Sequence, residues 1–164
     1  MGATNTVSEV VPLDAPRRGV RDAVIATLSA ACGIEAHYEG NDTETCPYDG
    51  IAGIISLVGD VDWSLMLTLP QEAAVQLSAR FAGFEIEYDS DDMTDLVGEL
   101  ANVIAGDVVA RLEAVGVKTS LSLPMVVRGE HLNLMIPAGH PRLHMRFSSE
   151  CGPFYLILGS RKPS

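Results

Sequence analysis

Four residues in the stretch DLVGELANVIAG have types and spacing that could do chemistry: Asp95, Glu99, Asn102 and Gly106. An α-helix advances about 100° per residue. With Asp95 at zero, Glu99 falls near about 40°, Asn102 near about 340° and Gly106 near about 20°. Glu99 and Asn102 are three apart, so on a helix their side chains are neighbours. Glu brings a fixed negative charge, and Asn brings an amide that donates and accepts hydrogen bonds at once. An amide is a weak base and a poor nucleophile. It can, however, hold a water by one lone pair and aim it. A carboxamide assists phosphoryl-group hydrolysis in this way, because positioning does most of the work there.

A polar helix face has a plainer reading, which is that it is simply solvated. Two residues argue for a contact surface instead. Asn is a mediocre helix former, and Gly costs about 1 kcal/mol against Ala in a helix interior. Both lie on this one line, and Gly106 would leave it flat enough for another molecule to approach closely.

The elements that must position this line can be read from periodicity. Leu100, Ile104, Val97, Val108 and Leu112 fall opposite the polar line, so the helix is amphipathic with a wide buried stripe. Ser90, Asp91 and Asp92 are good starters for it, and Gly116 ends it after about Ala114. Earlier, Val20, Val24, Leu28 and Ala31 predict a first helix over 17–32, stopped by Gly33. The run IAGIISLVGDVDWSLMLTL predicts a hairpin, with strands at 50–58 and 61–69. Pro70 opens a short helix that Gly83 closes. HYEGNDTETCPYDG reads as a polar loop. After the long helix, SLSLPMVVRG, HLNLMIPAG, PRLHMRFSSE and GPFYLILGS read as strands. The last two form a hairpin turning at Glu150-Cys151-Gly152. Strand and helix runs are segregated, so the expected class is α+β, a mostly antiparallel sheet with two long helices and one short helix packed on it. Residues 1–16, with Pro12 and Pro16, read as a flexible lead-in to a single domain over 17–160.

Composition narrows the function classes. The chain has 164 residues, 47% hydrophobic and 20% charged, enough for a sizeable core. A net charge of −11 argues against nucleic acid and against anionic lipid surfaces. The three cysteines, Cys32, Cys46 and Cys151, contain no C-x-x-C pair. Free, buried thiols in a reducing cytosol are the expectation. No signal peptide or membrane span is visible. Gly2 followed by Thr6 fits the loose acylation pattern, which is too short to carry weight.

Other candidates carry less. His140 and His144 are separated by Pro141, which blocks a continuing helix, and in a strand they stand too far apart to share a metal. His37 and His131 are isolated. There is no G-x-S-x-G elbow and no phosphate-cradling glycine loop. Trp63 reads as strand packing, and Arg17, Arg18 and Arg21 as a solvated helix end.

The spacing Asp95-xxx-Glu99-xx-Asn102 followed by VIAG resembles the active helix of the CheC/CheX/FliY family of chemotaxis phosphatases. GVRDAVIATLSAACGIEAHYEG is similar to that family's opening helix, and IAGIISLVGDVDWSLMLTLPQEAAVQLSARFAG to its first hairpin and short helix. SLPMVVRGEHLNL is similar to the strand after the active helix. Residues 17–160 are covered. The first helix offers Arg21, Val24 or Ile25 where a second acid–amide pair would lie, and there is no room for a flagellar switch domain. The chain therefore looks CheX-like, and the resemblance implies one active helix.

The resemblance implies hydrolysis of the aspartyl phosphate of a response regulator such as CheY. Asn102 would orient the attacking water, Glu99 would pair with the regulator's lysine, and Asp95 would support the contact at its edge. Magnesium would belong to the regulator, leaving this chain without a cofactor of its own. It also implies a homodimer joined through its sheets. The rivals are a binding or dimerisation module of the same fold that has lost turnover, and an enzyme acting on a receiver outside chemotaxis.

Overall fold

The computed structural model describes residues 14–41 and 48–162, with side chains from Pro16 onward. Cys46, Gly2, Thr6 and all but the end of the expected lead-in lie outside the described residues. The first helix, α1, spans Asp14–Cys32 and so begins earlier than the expected 17. Pro16 falls in its first turn, where a missing N–H breaks no helical hydrogen bond. Gly33 ends it at φ 64°, its N–H bonded to the Ser29 carbonyl at 3.1 Å.

The hairpin is β2 (Tyr48–Gly59) and β3 (Asp62–Pro70), antiparallel with Ile54 opposite Met66. Pro70 serves as the N-cap residue of α2 (Gln71–Ala82), and Gly83 closes that helix in the left-handed conformation. The long helix, α3, spans Asp91–Ala114. The predicted 150–152 turn joins β6 (Arg142–Ser148) to β7 (Phe154–Ser160), with Phe147 opposite Phe154.

Three expectations need correction. The polar loop hides an edge strand, β1 (His37–Asn41), paired with β6. Only Tyr38 of β1 packs inward, 5.7 Å from the Phe147 ring, so the pattern carries little strand signal. SLSLPMVVRG splits into β4 (Thr119–Leu121) and β5 (Met125–Leu132), both on the same edge of β2. Between them Ser122 donates its N–H to the Ser56 carbonyl, and Leu123-Pro124 then bulge opposite the single residue Ile55. HLNLMIPAG is not a strand beyond Leu132. Its alternating Leu132, Leu134 and Ile136 mimic one. The backbone turns at His131 (φ 51°), and Ile136 instead covers Gly159, where a Cβ would meet its side chain.

The described strands form one antiparallel sheet in the order β1-β6-β7-β3-β2, with β4 and β5 end to end along the outer edge of β2. The three helices cover one face. Ile51, Ile55, Leu65, Leu67, Leu156 and Phe147 of that face share a core with Val24, Leu77, Val97 and Ile104 of the helices. The architecture is the expected α+β one. No helix among the described residues is long and apolar enough to cross a membrane.

Candidate active site

The helix that carries the polar line is 24 residues long, about 36 Å at 1.5 Å per residue. Its start is fixed by Ser90, whose Oγ accepts the Met93 N–H at 3.1 Å and donates to the Glu87 carbonyl at 2.6 Å. Asp91 and Asp92 follow in the first turn, where negative charge complements the helix dipole. One side of α3 is fully committed to the core: Met93, Val97, Leu100, Ala101, Ile104, Ala105 and Val108 are all buried.

Two glycines set how closely this helix lies on the sheet. A Cβ on Gly53 of β2 would stand 2.7 Å from the Ala101 methyl and 3.2 Å from the Val97 carbonyl. The helix backbone therefore rests almost directly on the strand. On the flank, Gly98 faces Val126 and Pro124, which an added Cβ would touch at 3.4 Å and 3.6 Å, ordinary van der Waals contact. Helix α1 packs along the opposite flank, where Gly19 passes the Arg111 side chain. Asp107 and Arg111 pair there at 3.3 Å, one helical turn apart.

The outward line is the one expected. Asp95, Glu99 and Asn102 are exposed, and Gly106 is half-buried with nothing within 4 Å of an added Cβ. Among the described residues Glu99 has no ion-pair partner and Asn102 no side-chain hydrogen bond. Both side chains therefore stand at the surface without an internal side-chain partner. Val103, beside Asn102, is 41% exposed and adds an apolar contact to the same surface. No second acid–amide pair faces out from α1: Val24 is buried and Arg21 pairs with Asp22 at 3.1 Å.

The other sequence candidates are accounted for locally. His144 stacks on Tyr155 at 5.5 Å, and His140 Nδ1 lies 2.9 Å from the Ser160 carbonyl. Among the described residues no group of three or more His, Cys, Asp or Glu could hold a metal. Trp63 is buried in the core. Cys32 and Cys151 are buried free thiols. Burial, reinforced by Cys151, pushes Cys32 up to about 11, and burial raises Cys151 too.

One residue escaped the sequence reading. Arg128 reaches from β5 to the corner before α3. Its Nη1 donates to the Tyr88 carbonyl at 3.0 Å and to the Ser90 carbonyl at 3.2 Å, and its Nη2 to the Asp89 carbonyl at 3.5 Å. The available signal was a lone arginine inside the apolar strand LPMVVRG.

The family model described as chemotaxis phosphatase CheX matches residues 51–148. A curated relative, the CheY-P phosphatase CheX of Thermotoga maritima, is 29% identical over 82 residues, 49% of this chain and 53% of that protein. The match thus spans about half the length of that relative. Among solved structures, chemotaxis protein CheX of Desulfovibrio desulfuricans superposes with a TM-score of 0.80 at 20% identity, covering 88% of this chain and 97% of that one. CheX of Vibrio vulnificus gives 0.81 at 19%, covering 88% and 98%. CheX of Borrelia burgdorferi, in a complex with CheY, BeF3 and Mg²⁺, gives 0.71 at 22%, covering 88% and 96%. At these identities the structural likeness is one of fold.

Proposed function

Because the chain belongs to the chemotaxis phosphatase CheX family, we propose that it hydrolyses the aspartyl phosphate of a CheY-like response regulator. The observation that carries this reading is the pair Glu99 and Asn102, exposed and unengaged on one line of a helix seated on the sheet. In this reading α3 lies against the regulator's phosphorylation site. The Asn102 carboxamide holds one water and directs its lone pair at phosphorus. The P–O bond to the aspartyl carboxylate breaks, the carboxylate leaves with the bonding pair, and the water's proton ends on the phosphate product. An acyl phosphate is already activated, so aim matters more than acid–base strength.

Glu99 pairs with the regulator's active-site lysine and anchors the helix. Asp95 supports the contact at its edge, and Gly106 allows the close approach. Magnesium is supplied by the regulator, and the receiver substrate puts the reaction in the cytoplasm. We assign 17–160, with the helical turn 14–16 in front, to one phosphatase domain. We also take the chain to pair with a second copy through its sheet. Ile54, Met66 and Met125 on the sheet face away from the helices support that surface.

The test is loss of radiolabel from phosphorylated receiver domains with Mg²⁺ present. Acceleration by the wild-type chain is expected. Unchanged decay of every receiver would leave a binding or dimerisation module.

A further inference from the structure

The chain enters α3 through the corner Glu87-Tyr88-Asp89-Ser90, and three successive carbonyls of that corner turn toward β5. Arg128 collects all three with one planar group, whose five N–H donors are fixed in a fork. The guanidinium also lies 5.9 Å from the Tyr88 ring centroid, and its Nε is 3.8 Å from Asp89 Oδ1. The Arg128 side chain is 30% exposed, so it is the number of bonds and their fixed fork, rather than exclusion of water, that holds the corner.

From Arg128 the strand runs back to Val126, which packs at Gly98 together with Pro124 just before the strand. Strand β5 therefore touches the long helix at two places, its N-cap corner and its second turn. Asp95 lies between those two contacts, and Glu99 immediately follows the second. An anchor at both ends of one segment fixes its rotation about the helix axis as well as its height.

We propose that Arg128 is a positioning residue for the phosphatase site: it holds the first turns of α3 so that Asp95 and Glu99 meet the receiver in register. The inference rests on the reading of α3 as the docking helix. Asn102, farther along and seated by Gly53, is held independently of Arg128. Loss of the clamp should thus weaken docking more than it slows the chemical step.

The test uses the full chain and a radiolabelled phosphorylated receiver. Arg128→Ala should raise the half-saturating receiver concentration about tenfold, with the maximal rate within about twofold of wild type. Arg128→Lys keeps the charge, lacks the fork and should recover only part of the loss. Amide exchange over 91–96 should quicken in both. An unchanged half-saturating concentration in a folded Arg128→Ala chain overturns the proposal, as does a fall in maximal rate alone. Full recovery by Lys overturns the fork and leaves only charge. Should wild type act on no receiver, the phosphatase reading falls separately; the clamp is then judged by exchange, and unchanged exchange overturns it.

Discussion

Gly53 and Ala101 meet across the sheet–helix interface so closely that a Cβ on Gly53 would stand 2.7 Å from the Ala101 methyl. The bare strand position is what lets the long helix sit low, with its buried side saturated and Asn102 directed outward. Gly53→Ala must lift or rotate the helix, because the Val97 carbonyl is also within 3.2 Å. The expected cost is about 1–3 kcal/mol, the usual range for overpacking. Chemical denaturation measures it, and the folded fraction should show slowed receiver dephosphorylation. Unchanged stability would mean that the helix is not seated as described.

Gly106 makes the opposite prediction. An added Cβ meets nothing within 4 Å, and Ala is about 1 kcal/mol better than Gly in a helix interior. Gly106→Ala should raise the melting temperature while weakening receiver binding, since the methyl stands on the docking line. A more stable chain with unaltered binding would return this line to a merely solvated face.

The buried thiol Cys32 gives a pH dependence. Burial lifts it to about 11, so the folded chain keeps this proton when the unfolded chain has lost it. Its contribution is fully present below the unfolded value near 9 and is lost as pH rises toward 11. Two units correspond to about 2–3 kcal/mol. Denaturation at stepped pH should show stability falling between 9 and 11, with a smaller slope in Cys32→Ala. Tyr48, pushed by burial to about 12, adds a loss of the same sign above pH 10.

Much of this molecule was legible in its residues, for identifiable reasons. The apolar stripe of α3, the Ser90 start and the glycine-closed ends of α1 and α2 are local signals, and these helices formed where they were expected, except that α1 starts three residues early. The outward direction of Asp95, Glu99 and Asn102 followed from the same periodicity. Pairing between distant segments was harder to see. Strand β1 is polar and bonded on one edge only, so its strand character comes from β6 rather than from its own residues. Leu132, Leu134 and Ile136 alternate like a strand because Gly159 leaves a hollow for Ile136, a relation no local window contains. Arg128 acts on carbonyls some forty residues away in the chain, and carbonyls have no signature in sequence.

The central claim concerns one side chain, and Asn102→Ala tests it most directly. Binding to a receiver locked in its BeF3–Mg²⁺ form and turnover of the phosphorylated receiver are measured on the same variant. Binding should stay within a few-fold of wild type while stimulated dephosphorylation drops by about a hundredfold or more. Glu99→Ala should weaken both together. Stimulated dephosphorylation that survives Asn102→Ala at near wild-type rate would contradict the account.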